Sequence, residues 1–89
     1  MLQAHIFISG IVQGVGFRYF IRSNARKLQL TGWVRNIPDG RVEAVVQGDK
    51  KTIAKLVAKC EKGPFLAEIK AVKVDWEEMT EPLKEFYFK

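Results

Sequence analysis

The part of the sequence best suited to chemistry is residues 10–18, a stretch with three glycines that ends in an arginine. These glycines make unusual backbone angles accessible at little energetic cost. A loop of this kind, leading from a strand into a helix, can direct backbone N–H groups and the positive end of the helix dipole toward one anion. Arg18 can complete such a cradle, because its planar guanidinium binds two phosphate oxygens at once.

The same stretch also has a purely structural interpretation. The glycines would then only permit a tight turn, and Arg18 would be a solvated residue of the first helical turn. Two common nucleotide-binding motifs do not fit: Val15 stands where a P-loop needs glycine, and Tyr19 where a dinucleotide fingerprint needs one. From the residues alone, an anion cradle and a simple turn both stay open.

Length and charge limit what the chain can be. Its 89 residues, 47% of them hydrophobic, predict one small domain spanning residues 1–89. The 15 Lys and Arg outnumber the 10 Asp and Glu and give a formal net charge of +5, which raises the local concentration of anions. Phosphate, carboxylate and nucleic acid are all conceivable partners on this ground.

The few cysteine and histidine residues exclude several kinds of site. Cys60 is the single cysteine, which excludes an internal disulfide, and with His5 as the single histidine there are too few ligands for a metal centre. Cys60 falls on the apolar stripe of a predicted helix, where we expect a small buried side chain rather than a nucleophile. No apolar run approaches the ~18 residues needed to span a bilayer. We therefore expect a cytoplasmic protein with no membrane partner, metal or cofactor.

Hydrophobic periodicity predicts the elements of the first half of the chain. Alternating apolar residues predict a strand at 4–10, and helical spacing predicts a helix over about 17–29. Two further strands, 32–37 and 42–47, should form a hairpin around the turn residues 38–40.

The second half continues with a helix and a long strand. Asp49 is placed to cap the helix, and the Gly-Pro pair at 63–64 should stop it. In the following strand, 67–76, the alternation changes parity between Ala71 and Val72, which predicts a β-bulge there.

A short segment, 86–88, should return as an edge strand after Pro82. The resulting order is that of an α+β, ferredoxin-like split βαβ sandwich (βαββαβ), with two helices on one face of an antiparallel sheet. This arrangement serves enzymes, RNA-binding domains and metal carriers alike, so the fold does not choose a function.

Four segments carry a resemblance to a known family. Residues 12–18 read Val-Gln-Gly-Val-Gly-Phe-Arg, residues 32–36 read Gly-Trp-Val-Arg-Asn, residues 39–43 read Asp-Gly-Arg-Val-Glu, and Gly48 precedes the second helix. In this order they resemble the acylphosphatases, small ferredoxin-like enzymes, over essentially the whole chain. Gln29 departs from the pattern, since many members have glycine just after the first helix.

The resemblance implies an acylphosphatase, which hydrolyses the carboxyl-phosphate bond of small acyl phosphates without a metal. It implies that Arg18 and backbone N–H groups bind the phosphate and that Asn36 positions the attacking water. The backbone groups so implied belong to Gln13, Gly14, Val15, Gly16, Phe17 and Arg18. Inorganic phosphate or sulfate would compete as anions.

The residues are compatible with that chemistry. An acyl phosphate releases a carboxylate, which needs no proton to depart, and phosphoryl transfer depends mainly on positioning and on donors to the phosphate oxygens. Asn36 is too weak a base to remove the proton of the water fully, so a phosphate oxygen of the substrate is the expected acceptor. Without the resemblance, Asn36 would be interpreted as the start of the turn at 38–40.

Two other functions are compatible with this order of elements. An RNA-recognition domain shares this element order, but the strand at 42–47 lacks the aromatic residues that stack on bases, so we expect no specific nucleic acid. A non-catalytic phosphate-binding module would belong to a larger carbamoyl-phosphate-handling protein. Because the sequence ends at Lys89, we expect a free-standing enzyme. The sequence leaves the oligomeric state open, and a monomer is the default expectation.

The remaining large side chains receive structural interpretations. Arg22 and Arg26 follow Arg18 at i+4 and i+8 on one helix flank, where we expect them to be solvated. Core packing is expected for the aromatic residues Phe17, Phe20, Trp33 and Trp76.

Overall fold

The computed structural model describes residues 2–79 and 81–89. The elements in chain order are β1 (Leu2–Ile11), α1 (Phe17–Lys27), β2 (Thr31–Asn36), β3 (Val42–Gln47), α2 (Lys50–Lys62), β4 (Glu68–Glu78) and β5 (Phe86–Phe88). The predicted order of elements is confirmed, and their ends differ from the predicted ends by a few residues.

Within the described residues, five strands form one sheet in the order β4-β1-β3-β2-β5. Strand β1 pairs antiparallel with both β3 and β4, and β2 pairs antiparallel with β3. Strand β5 instead runs parallel to β2, with Gly32 opposite Phe86. The ferredoxin-like sandwich is therefore confirmed, but the sheet is mixed rather than purely antiparallel, because the chain crosses from β4 to the opposite edge before it enters β5.

The core lies between the helices and one face of the sheet. Alternate residues of β1, namely Ala4, Ile6 and Ile8, are fully buried there. The helices contribute Phe17, Ile21 and Ala25 from α1 and Ile53, Leu56 and Cys60 from α2. Full burial of a large aliphatic side chain stabilises the fold by about 1.5–3 kcal/mol. The buried residues along one side of each helix therefore determine how that helix is oriented on the sheet.

The β-bulge in β4 is present but lies earlier than predicted. Ser9 pairs with Ala71 and Gly10 pairs with Ile69, so Lys70 is the additional residue. Gly10 has a φ of 128°, and a Cβ atom added to it would lie 2.1 Å from Glu68 O. Only glycine permits this approach of the two backbones, which places the bulge beside it.

The helix ends show how the chain turns toward and away from the sheet. Asp49 is the N-cap of α2 as predicted, but its side chain makes no capping hydrogen bond. Gln29, just after α1, has a φ of 59°. Gln29 N donates to Arg26 O at 3.0 Å, and Leu30 N donates to Ala25 O at 2.9 Å. These bonds form a Schellman motif, with glutamine in the left-handed position that glycine usually occupies.

The core prediction for the aromatic residues is right for two of them and wrong for two. Phe17 is buried and Phe20 packs against the core. Trp33 is half-buried and lies on the sheet face away from the helices. Its neighbours Gly32 and Val34 are buried on the core side, and successive residues of a strand face opposite sides of the sheet. Trp76 is 38% exposed, and the Lys50 ammonium lies 5.1 Å from its ring centre.

Candidate active site

A cavity of about 100 Å³ lies where the loop after β1, the end of β2 and strand β5 meet. Among the described residues it is lined by Val12, Gly14, Gly16, Phe17, Arg18, Tyr19, Asn36 and Phe88. Arg18 and Asn36, the two side chains that the resemblance implies for catalysis, are thus brought to one cavity. Of the six residues implied to bind phosphate through their backbones, Gln13 and Val15 are not in the lining.

The loop owes its shape to glycine backbone angles rather than to crowding. Gly14 and Gly16 have φ values of 75° and 80°, and nothing lies within 4 Å of a Cβ added to either. Side chains rarely adopt these angles, so glycine is favoured for conformational reasons alone.

The first turn of α1 is open to an anion. Gly16 is the N-cap, no side chain makes a capping hydrogen bond, and no acidic residue lies in the first turn. The first N–H groups of a helix have no partner within it, and they carry the positive end of the dipole. This helix end is therefore suited to bind a negatively charged group at the cavity.

The side chain of Gln13 fastens the loop to the β2–β3 hairpin. Its amide nitrogen donates to Ile37 O at 2.8 Å and to Arg41 O at 2.9 Å. Ile37 directly follows Asn36, so these two bonds fix the distance between the glycine loop and the end of β2. The resemblance implies only a backbone role for Gln13. The signal for its side chain is an amide in a stretch of glycine and valine.

Asn36 ends β2, where it pairs with Val42 of β3. Its side chain makes no hydrogen bond within the described part of the chain. The turn is instead organised by Asp39, which accepts hydrogen bonds from Arg41 N at 3.0 Å and Arg41 Nε at 2.8 Å. The bond from Arg41 N lowers the pKa of the Asp39 carboxyl. The alternative role of Asn36 as the side chain that starts the turn is therefore not supported.

Arg18 and Arg22 both lie beside the ring of Phe88. The guanidinium carbon of exposed Arg18 is 5.7 Å from the ring centre, and that of half-buried Arg22 is 3.9 Å from it. Arg22 also lies 4.9 Å from the ring centre of Tyr19. The expectation that Arg22 is solvated was wrong, since its guanidinium contacts two rings. Arg26 is exposed, as expected, and also donates a hydrogen bond to Phe86 O at 3.1 Å.

The charge of the lining favours an anion. Arg18 is the charged side chain among the lining residues of the described chain, and none of those residues is an Asp, Glu or His. No group of three or more His, Cys, Asp or Glu that could hold a metal occurs in residues 2–79 and 81–89. The cavity therefore offers amide and guanidinium donors to a ligand.

A larger hollow of about 350 Å³ lies on the other face of the sheet. The two carboxylates of Glu77 and Glu81 line it together with one ammonium, that of Lys89, and the carboxylates would repel a phosphate. Its amides are already paired, since Gln3 donates to Glu77 at 2.7 Å and accepts from Gln47 at 2.9 Å. The smaller cavity is therefore the better phosphate site despite its size.

The histidine and the cysteine lie away from the cavity. His5 Nε2 is 2.6 Å from Glu43 Oε2, and Arg35 Nε donates to Glu43 Oε1 at 2.6 Å. Burial alone raises the pKa of Glu43, but these two partners outweigh it and hold the pKa below its usual 4.5. Cys60 is buried in the core, as predicted, and burial raises the pKa of its thiol to about 12.

Comparison with known proteins places this chain in a family. The family model described as acylphosphatase matches residues 4–88. The chain is 51% identical over 80 residues to an acylphosphatase of Chloroflexus aurantiacus, covering 90% of this chain and 87% of that one. No helix in the described residues is long and apolar enough to cross a membrane.

Solved structures agree with this assignment. An acylphosphatase from Bacillus subtilis superimposes with a TM-score of 0.95 at 36% identity, covering 100% of this chain and 99% of that one. HypF of T. kodakarensis matches with a TM-score of 0.89 at 33% identity, but the match covers only 12% of that longer chain. The matches over nearly the full length of both proteins show that the chain belongs to the acylphosphatase family.

Proposed function

We propose that the protein hydrolyses small acyl phosphates at this cavity without a metal or other cofactor. Acylphosphatases hydrolyse acyl phosphates, and family membership supplies the reaction class. The observation that carries the proposal is the meeting of Arg18, the uncapped first turn of α1 and Asn36 at one cavity.

The phosphate is held by the guanidinium of Arg18 and by backbone N–H groups of the loop. The backbone donors are those of Gln13, Gly14, Val15, Gly16, Phe17 and Arg18. The positive φ of two loop glycines and the absence of a capping side chain on α1 support this assignment. Donors that are already in place stabilise the charge that develops on the phosphoryl oxygens without further reorganisation.

Asn36 holds the attacking water in line with the scissile bond. Its amide oxygen accepts from the water while its NH₂ group donates to a phosphate oxygen, and no described group competes for either. The water oxygen attacks phosphorus, the bond from phosphorus to the acyl oxygen breaks, and the acyl group leaves as a carboxylate. The proton of the water passes to a phosphate oxygen of the substrate, so the products are a carboxylate and inorganic phosphate.

We further propose that the enzyme is cytoplasmic and monomeric and that residues 1–89 act as a single acylphosphatase-like domain. The match of the family model to residues 4–88 supports the single domain. Inorganic phosphate and sulfate should inhibit by competing for Arg18, and no specific nucleic acid is involved.

The test is phosphate release from acetyl phosphate in the presence of a chelator. Arg18→Ala should lower kcat/KM by about 100- to 1000-fold, because it removes a donor to the developing charge. Asn36→Ala should lower kcat by about 100-fold, because the water is no longer oriented. Lys27→Ala and Asn24→Ala are the matched controls, since both side chains lie on α1 outside the cavity lining.

Two results would contradict the proposal. Loss of wild-type activity with the chelator, restored by added metal, would reject the metal-independent mechanism. Phosphate binding without any hydrolysis would favour the non-catalytic module.

A further inference from the structure

Two exposed aromatic rings stand at the mouth of the cavity. Tyr19 is 66% exposed and Phe88 is 38% exposed, and both belong to the lining. Their ring centres are 5.8 Å apart, with the planes tilted by 57°. Exposed apolar groups that adjoin a cavity commonly serve to bind a ligand.

The two rings are held in place before any ligand arrives. The guanidinium of Arg22 contacts both, at 3.9 Å from the centre of Phe88 and 4.9 Å from that of Tyr19. Tyr19 is anchored in the first turn of α1, and Phe88 is anchored in the ladder opposite Val34. Ligand binding to a rigid ring pair loses little conformational entropy.

The ring of Phe88 also lies close to Arg18. Arg18, the proposed phosphate ligand, has its guanidinium carbon 5.7 Å from the ring centre of Phe88. In an acyl phosphate, a single bridging oxygen separates phosphorus from the carbonyl carbon. A substrate whose phosphate is bound by Arg18 therefore has its acyl group within reach of these rings.

We propose that Tyr19 and Phe88 form an acyl-group subsite that favours acyl phosphates with an aromatic or bulky apolar acyl group. The assignment rests on the proposed function, because it takes Arg18 as the phosphate ligand. A planar or branched acyl group packs on the rings by dispersion and by ring–ring contact, whereas a methyl group covers little of them. Tyr19 and Phe88 are thus specificity-determining residues, distinct from the catalytic pair Arg18 and Asn36.

The experiment compares benzoyl phosphate with acetyl phosphate on the same protein samples, after subtraction of spontaneous hydrolysis. Tyr19→Ala should lower the ratio of kcat/KM for benzoyl over acetyl phosphate by about 3- to 10-fold, mainly through a higher KM for benzoyl phosphate. Tyr19→Phe should retain the wild-type ratio, because the ring is kept. The ratio does not depend on the fraction of protein that is folded, since both substrates use the same active molecules.

Phe65→Ala provides the matched control, because this aromatic side chain is 99% exposed and is not part of the cavity lining. It should keep the wild-type ratio. An unchanged ratio in Tyr19→Ala, with both substrates still hydrolysed, would overturn the subsite and leave the proposed function intact. A wild-type protein that hydrolyses neither substrate would reject the proposed function, and the subsite with it.

Discussion

The side-chain amide of Gln13 donates to the backbone carbonyl of Ile37 at 2.8 Å, which joins the glycine loop directly to the residue that follows Asn36. The two motifs of the site lie on different elements, and the whole of helix α1 separates them along the chain. Strand β3 lies between the two motifs in the sheet, and this hydrogen bond with its companion to Arg41 adds a direct connection between the glycine loop and the segment that holds Asn36.

Replacing Gln13 by Glu should damage both stability and activity. A carboxylate is nearly isosteric with the amide but donates no hydrogen bond, and at pH 7 it would face two carbonyl oxygens. We expect the free energy of unfolding to fall by about 1–3 kcal/mol and kcat/KM to fall by about tenfold. Urea unfolding and acetyl phosphate assays measure the two effects. Gln29→Glu is the control, since Gln29 is exposed; equal behaviour of the two variants would contradict the bridging role.

The ion-pair cluster on the open sheet face should make stability depend on pH. The pKa of Glu43 is held below its usual 4.5, so its ionised form stabilises the fold above that pH. That contribution is lost as the pH falls from 4.5 through the lower pKa of the folded state. His5 and Arg35 contact the carboxylate directly, and Glu77 faces His5 from β4.

We therefore expect Glu43→Gln to be less stable than the wild type by about 1–3 kcal/mol at pH 7 and nearly equal to it at the acid end. Urea midpoints measured between pH 7 and pH 2 provide the comparison. Glu85→Gln, which changes an exposed carboxylate, should differ little from the wild type at any pH. If the difference in stability between Glu43→Gln and the wild type were the same at every pH, ionisation of Glu43 would not be its cause.

Cys60 should resist thiol reagents in the folded protein. Its pKa is raised to about 12 by burial, so almost no thiolate exists at pH 8, and the reagent has no access to the sulfur. In the folded protein, labelling of Cys60 should therefore proceed no faster than global unfolding. In denaturant, labelling should be immediate. An added thiol in Ala58→Cys, exposed on the same helix, should react rapidly. Fast labelling of the wild type would mean that α2 opens locally.

Gln29→Gly should stabilise the protein. Gln29 has a φ of 59°, a conformation that strains a residue with a Cβ but not glycine. We expect the free energy of unfolding to rise by about 0.5–1 kcal/mol, because the relief of left-handed strain exceeds the entropic cost of ordering a glycine. Lys27→Gly, in the last turn of α1, should instead lower it by about 1 kcal/mol, because glycine is unfavourable within a helix. Thermal unfolding of both variants tests the opposite signs.

Local patterns predicted the elements and the two motifs of the site well. The helical spacing of Phe17, Ile21 and Ala25 corresponds to the buried stripe of α1, and Arg18 and Asn36 reach one cavity as the resemblance implies. Each of these signals lies within a few residues of chain. The parity change in β4 likewise showed that a bulge exists, but it could not distinguish Lys70 from its neighbours, because that choice depends on Gly10 of the partner strand.

Features that depend on distant pairing were not predictable. Nothing in residues 86–88 shows that β5 runs parallel to β2, so neither Phe88 in the cavity nor Arg22 stacked on its ring could be inferred. Tyr19 offered a partial signal, since it is an aromatic residue off the buried stripe of its helix. Trp33 was misassigned because hydrophobic character alone does not tell which face of a sheet a side chain occupies. Trp76 pairs with Ala4 and therefore lies on the helix side, but β4 is an edge strand of the sheet and its ring is left partly exposed.

The position of β5 also has a consequence for when the cavity is completed during synthesis. The rest of the cavity lining comes from residues 12–36, whereas Phe88 is added by pairing with β2 across most of the length of the chain. A ribosome-bound chain would hold the phosphate loop and Asn36 long before it could close the cavity. Contacts of such sequence separation form slowly. The complete site therefore arises only after synthesis has passed residue 88 and the last strand has found its place in the sheet.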